Sequence, residues 1–139
     1  MIASSVTLSQ SALLLLARVC ASMIFVIQGF NKMTHMEATV AGFTKLAVPQ
    51  PQIAYYIAVA VELGCGLLLM FGLKARFAAM ALAIFCVATA MLAHTDFTNM
   101  GQQVQFLKNL SMAGGFLAFA TVGAGFFSVD TKIDSIPKE

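Results

Sequence analysis

Four long apolar segments dominate the chain, at residues 11–30, 53–73, 77–93 and 106–127. An α-helix needs about 20 residues to cross the hydrocarbon core of a bilayer, and the length of each segment is close to that. Only 10% of the residues are charged, whereas a soluble domain carries about 25%. The chain is therefore predicted to be an all-α integral membrane protein, with residues 1–139 forming one domain built as a bundle of four transmembrane helices.

The connection between the first two segments is predicted to form a short helix at the membrane interface. Its apolar residues recur at helical spacing, at Met36, Val40, Phe43 and Ala47. The second and third segments are joined only by the tight turn KAR, which makes them antiparallel neighbours. Residues 128–139 form a short polar tail.

The distribution of basic residues predicts the orientation of the bundle. Four spans place both termini and the KAR turn on one side of the membrane. The basic residues of that side are Lys74, Arg76, Lys132 and Lys138, and those of the other side are Lys32, Lys45 and Lys108. Because cytoplasmic loops are enriched in Lys and Arg, both termini are predicted to be cytoplasmic.

Glu62 lies close to the middle of the second apolar segment, where a charge is most costly. Ala54, Ala58 and Gly66 follow the same helix face at intervals of four residues. Small residues in such a row allow another helix to approach closely. Glu62 is therefore predicted to face a neighbouring helix and not lipid.

Arg18 has a similar environment in the first segment, because Ser11, Ser22 and Gly29 share its helix face. A charge at the centre of a membrane helix costs about 2.5–3.5 kcal/mol on insertion scales, and pairing offsets much of that cost. We therefore expect a buried Arg18–Glu62 pair, held by two parallel hydrogen bonds. The pair is interpreted as a structural clamp between helices, and the alternative is a site where Glu62 takes a proton or a ligand.

Further polar residues gather toward the opposite end of the predicted bundle. They are Gln28, Asn31, Lys32, His94, Lys108 and Asn109. His94 continues a stripe of alanines, and Lys108 continues the row of Ser111, Gly115 and Ala118, so both are predicted to point into the bundle. Such a group suits an anion, a carbonyl or a quinone head group. The alternative is that these residues snorkel to the lipid head groups or cap helices.

Several other kinds of site are not indicated. Cys20, Cys65 and Cys86 lie in three different segments without a C-x-x-C pair, so thiol–disulfide exchange is not expected. With only two histidines, no metal site is predicted. A net charge of +2 does not point to nucleic acid.

Several motifs in order resemble the DoxX family of four-helix bacterial inner-membrane proteins. They are Arg18 itself, GFNK at 29–32, VELGCGLLL around Glu62, FLKN at 106–109 and GAGFFSVD at 123–130. The resemblance implies a bacterial inner-membrane location and a four-helix fold. Relatives include subunits of a thiosulfate:quinone oxidoreductase and components of a radical-detoxifying complex, and more distant ones are chaperones or cargo receptors. The resemblance therefore implies the fold more strongly than the function.

Two functions remain open. The first is a redox-linked membrane subunit that binds a quinone or another small ligand among the helices, next to a redox partner protein. The sequence contains no cofactor motif of its own, so any oxidoreductase activity would need that partner. The second is a non-enzymatic scaffold or assembly factor whose buried charges are purely structural. The rows of small residues are also compatible with a homo-oligomer, and a transporter is a third, weaker interpretation.

Overall fold

The computed structural model describes residues 8–135, and these residues form helices without any strand. The helices are α1 (Leu8–Thr34), α2 (Met36–Lys45), α3 (Pro51–Phe71), α4 (Ala75–Ala93), α5 (Met100–Val122) and α6 (Val129–Asp134). The prediction of an all-α protein is confirmed. Lys138, both chain termini and the end of the predicted tail lie outside the described residues.

Three helices within residues 8–135 are long and apolar enough to span a membrane, namely α1, α3 and α4. Helix α5 has 23 residues but is less apolar, because its first half carries three glutamines, Lys108 and Asn109. It starts earlier than predicted because Asn99 accepts hydrogen bonds from the first backbone N–H groups. It ends earlier because Gly123 adopts a positive φ of 86°. The helix therefore differs in its limits from the predicted span 106–127, and the count of four spans is not confirmed.

Helix α1 packs along α3 through the predicted face of small and polar residues. Ser11, Arg18, Ser22 and Gly29 are all buried, together with one phenylalanine. The approach is closest at Gly29, where an added Cβ atom would lie 2.5 Å from the backbone nitrogen of Leu63. Only glycine leaves room for this contact.

Helix α3 contains a turn of π-helix at Ala60–Cys65, with Glu62 inside it. Such π-turns are rare and occur frequently at functional sites. The widened turn lies opposite Gly29 of α1. Nothing in the residue spacing of α3 indicated it.

Helices α4 and α5 form the second packed pair of the bundle. The alanine stripe of α4, Ala79, Ala83 and Ala90, is buried as predicted. Helix α5 turns a different face to the bundle from the one predicted, because Asn109 and Phe116 are buried whereas Lys108 and its row of small residues are exposed. The large apolar side chain of Phe116 stabilises the packing more than the small row does.

The short connections take the forms that their sequences indicate. Helix α2 is confirmed as a helix, with Met36, Val40 and Phe43 half-buried, whereas Ala47 lies beyond its end at a φ of 53°. Its place at the membrane interface stays a prediction. In the turn before α4, Gly72 is left-handed at a φ of 70° and ends α3.

Candidate functional site

The guanidinium of Arg18 is buried at one end of the bundle, where it donates to backbone carbonyls. Its Nε lies 3.4 Å from the carbonyl oxygen of Met70, and its Nη2 lies 2.8 Å from that of Phe127. Its Nη1 donates to the carbonyl oxygen of Ala124. The side chain is only 1% exposed. Arg18 therefore joins α1 to the end of α3 and to the segment that follows α5.

The same end is closed by Asp130 of α6. Its carboxylate accepts hydrogen bonds from the backbone nitrogens of Lys74 and Ala75, at 2.7 and 3.0 Å. Its own backbone nitrogen donates to the carbonyl oxygen of Gly72. A carboxylate at the start of α4 satisfies N–H groups that have no partner within the helix. The motif GAGFFSVD is thus the segment that encloses Arg18 and caps α4.

Glu62 is paired with Lys32, and the predicted Arg18–Glu62 pair is wrong. Lys32 Nζ lies 2.7 and 3.1 Å from the two carboxylate oxygens, and Glu62 is 7% exposed. Arg18 reaches Met70, which lies eight residues from Glu62, or about 12 Å along the helix. The two charges share a helix interface but differ in depth. The prediction that Glu62 faces a neighbouring helix is correct.

Two neighbouring cavities share Glu62 in their linings. We call the first the polar chamber. Its volume is about 300 Å³, and its polar lining consists of Gln28, Glu62, Thr89, His94, Gln105, Lys108 and Asn109. Phe25, Phe85 and Met112 supply part of the apolar wall. Gln105 and Thr89 were not singled out in the sequence, since single polar residues on apolar helices carry no distinctive spacing.

The second cavity, the apolar chamber, has a volume of about 480 Å³. It lies between α2, the start of α3 and the end of α4, and its lining is apolar except for Lys32, Glu62, Thr89 and His94. Glu62, Phe85, Thr89 and His94 line both chambers. One chamber thus offers a more polar lining and the other a more apolar one, and each volume lies in the size range of small-molecule sites.

The structure brings together most of the predicted ligand-binding residues. Gln28, His94, Lys108 and Asn109 line the polar chamber, and Lys32 lines the apolar one. Asn31 lies outside both chambers. Its side chain is exposed, and its backbone oxygen contacts Thr34 and His35 at the end of α1.

Two side chains that line the polar chamber form hydrogen-bond contacts with neighbouring residues. His94 Nδ1 lies within hydrogen-bond distance of the amide oxygen of Gln102, at 2.7 Å. Asn109 Nδ2 donates to the carbonyl oxygen of Gln105 at 2.9 Å, which leaves its second N–H available. Within residues 8–135, no hydrogen bond or ion pair of the Lys108 ammonium is found.

The loop beyond His94 contains Asp96, which is fully exposed. Hydrogen bonds from the side chain and the backbone of Thr98 lower the pKa of this carboxyl group. The loop therefore carries an exposed carboxylate whose ionised form is stabilised. Among the described residues, no group of three His, Cys, Asp or Glu side chains is arranged to hold a metal ion.

Apolar helices of spanning length, with charged side chains buried between them, define a helical integral membrane protein with a candidate ligand cavity. A family model described as DoxX matches residues 13–95, more than half of the chain. The chain belongs to the DoxX family, and the resemblance noted from its motifs is confirmed.

Two curated relatives agree with this assignment. The chain is 34% identical over 129 residues to the inner membrane protein YphA of Escherichia coli K12, covering 89% of this chain and 92% of the relative. It is 32% identical over 120 residues to the inner membrane protein YqjF of the same strain, covering 86% and 91%. These similarities and the apolar helices support the bacterial inner membrane as its location. No solved structure matches the chain significantly.

Proposed function

We propose that this DoxX-family protein binds a quinone-like ligand in its helix bundle and acts as the membrane subunit of a redox system, next to a partner that carries the remaining chemistry. The observation behind the proposal is that a polar and an apolar chamber lie side by side and share Glu62 and His94 in their linings. A ligand with a polar ring and an apolar substituent matches both parts. A water-soluble anion matches only the polar chamber.

The donor set of the polar chamber fits a quinone head group. Carbonyl oxygens of a quinone accept hydrogen bonds, and donors are available from Lys108, Asn109 and the amide of Gln28. The aromatic ring of Phe85 lies on the shared wall, where a flat ring finds an apolar face. When bound, a quinone supplies reversible transfer of electrons and protons. The Lys32–Glu62 pair fixes the charges at the inner end of the site.

The test is the quinone content of protein purified from its own membranes in mild detergent. Organic extraction and mass spectrometry are expected to find about one quinone per chain, as a single defined cavity would hold. Lys108→Met is expected to lose it while keeping its thermal stability. Lys45→Met is the matched control, since Lys45 is exposed and lines neither chamber. Unchanged quinone in Lys108→Met, or none in the unaltered protein, contradicts the proposal.

A non-enzymatic scaffold is the second candidate, and the environment of Arg18 favours it. This buried cation is used to join helices and not to line the chambers where Glu62 lies. A scaffold predicts a colourless protein that carries only bulk phospholipid. The quinone extraction therefore separates the two candidates.

We further propose that α5 crosses the membrane as a fourth span and that both termini are cytoplasmic. Twenty-three residues suffice in length, and its polar first half faces the polar chamber through Gln105 and Asn109. The basic residues near the α3–α4 turn and α6 favour this orientation. A reporter fused after residue 139 that is active only in the periplasm is expected to stay inactive, and an active fusion reverses the assignment.

A further inference from the structure

We infer that the apolar chamber is a lateral opening between α3 and α4, through which the hydrocarbon tail of the ligand extends into the bilayer. The inference deepens the proposed function and rests on it only for the identity of the head group. It assigns the ligand to a class: a tailed amphiphile that is already dissolved in the membrane.

The packing of α3 creates the opening. Helix α4 contacts the Ala60–Phe71 half of α3. The chamber lies beside the other half, where Ile53 and Ile57 face Ala88 and Leu92 of α4 across the cavity. Two helices that pack at one end and separate at the other leave a wedge between them.

The rim of this wedge faces outward along helices that are long and apolar enough to span the membrane. Ile53, Ile57 and Leu92 are 57%, 54% and 52% exposed. All three belong to α3 or α4. Large apolar side chains at this position contact lipid tails in a bilayer, so the open side of the chamber meets hydrocarbon and not water.

The chamber is covered at its other side by α2 and the turn that follows it. Phe43, Leu46 and Val48 line this cover. The turn is held by left-handed residues, Ala47 at a φ of 53° and Gln50 at a φ of 49°. An apolar cover over an apolar cavity disfavours direct entry of a polar solute from the aqueous phase.

The polar residues of the lining have the opposite character. They are Lys32, Glu62, Thr89 and His94, and the last three also line the polar chamber. A ligand that enters from the bilayer therefore inserts its polar head first and leaves its tail between Ile57 and Leu92. This polarity excludes a free inorganic anion as the occupant of the apolar chamber.

The chain contains no tryptophan, so a single introduced tryptophan reports on its own position. The protein is reconstituted in vesicles of phosphatidylcholine brominated in its acyl chains, which quench tryptophan fluorescence on contact. Phe85→Trp places the reporter on the wall between the chambers. Met91→Trp, at a site 60% exposed on α4, is the lipid-facing control, and Phe116→Trp, at a site 1% exposed, is the shielded control.

The expected result is a loss of fluorescence for Phe85→Trp that approaches the loss for Met91→Trp and clearly exceeds that for Phe116→Trp. Adding Ala88→Phe to the reporter variant fills the wedge and is expected to restore the fluorescence. Ala118→Phe, the same enlargement on the exposed face of α5, is expected to leave the quenching unchanged. If Phe85→Trp does not fold, Phe43→Trp reports on the same chamber from α2.

A Phe85→Trp variant shielded as well as Phe116→Trp overturns the lateral opening, and so does quenching that Ala88→Phe leaves unchanged. The outcomes separate this inference from the proposed function. Quenching in a protein that contains no quinone would support the lateral opening and contradict the proposed quinone. Quinone that is lost in Lys108→Met, together with a reporter shielded from lipid, would support the proposed ligand and contradict the lateral route.

Discussion

Two regions of the helix bundle each bury a charged side chain, but they use it differently. At one end, Arg18 is 1% exposed and its hydrogen bonds go to backbone carbonyls of α3 and of the segment after α5. In the middle of α3, Glu62 pairs with Lys32 and still lines two cavities. A buried charge whose hydrogen bonds go to the backbone joins elements together. One that borders a cavity remains available to a ligand.

The largest effect that tests this contrast is expected from Arg18→Met. The substitution leaves three carbonyl oxygens without their donor, at about 1–3 kcal/mol for each buried unpaired group. We expect the free energy of unfolding in micelles to fall by about 3 kcal/mol or more. Residues 123–135 are also expected to become sensitive to protease.

Arg76→Met is the control for that measurement. Arg76 is exposed, and its Nη2 donates one long hydrogen bond of 3.4 Å to the carbonyl oxygen of Val122. Its replacement is expected to change stability by less than about 0.5 kcal/mol. Equal losses for the two arginines would remove the structural role assigned to Arg18.

A smaller effect is expected where α1 crosses the π-turn of α3. In Gly29→Ala, the new methyl group would lie 2.5 Å from the Leu63 nitrogen, and such overpacking costs about 1–3 kcal/mol. Gly114→Ala is the matched control on α5, because an added methyl group there meets nothing within 4 Å. Because alanine has a higher helix propensity than glycine, Gly114→Ala is expected to stabilise the protein by up to about 1 kcal/mol. Denaturant titration checks whether Gly29→Ala lowers the free energy of unfolding and Gly114→Ala raises it. Two losses of similar size would contradict the close crossing of α1 and α3.

The smallest effect is the coupling between Lys32 and Glu62. Lys32→Met and Glu62→Gln each leave the other group without its ionic partner, so the double variant is expected to recover about 1 kcal/mol of the summed losses. Arg18→Met combined with Glu62→Gln is expected to be additive within about 0.5 kcal/mol, because the two share no partner. Non-additive losses for Arg18→Met with Glu62→Gln, together with additive losses for Lys32→Met with Glu62→Gln, would instead support the Arg18–Glu62 pair expected from the sequence.

The buried face of α1 was predictable because it depends on spacing along one helix. Ser11, Ser22 and Gly29 lie with Arg18 on the buried face of α1, as their positions in the sequence indicate. The partner of Arg18 was not predictable in the same way. Its acceptors are backbone carbonyls, which every residue has, and which become available only where α3 ends and where the Gly123–Ser128 segment folds back.

The face of α5 was predicted incorrectly for a related reason. A row of small residues through Lys108 is compatible with helix packing, but the phenylalanine at 116 meets Phe25 of α1 edge to face at 5.2 Å and turns the helix so that Lys108 lies at the rim. Lys108 still lines the polar chamber from there. Burial of a large aromatic side chain outweighs close contact of small ones.

The sequence by itself determined the class of protein, the apolar helices and the buried helix faces that carry Arg18 and Glu62, because hydrophobicity and periodicity are local properties of the chain. The tertiary structure decided which charges meet, where α3 widens into a π-turn, and that two chambers share Glu62 in their linings. These features depend on the relative depth and rotation of neighbouring helices. Depth and rotation are set by contacts between residues far apart in sequence, and no spacing within one segment records them.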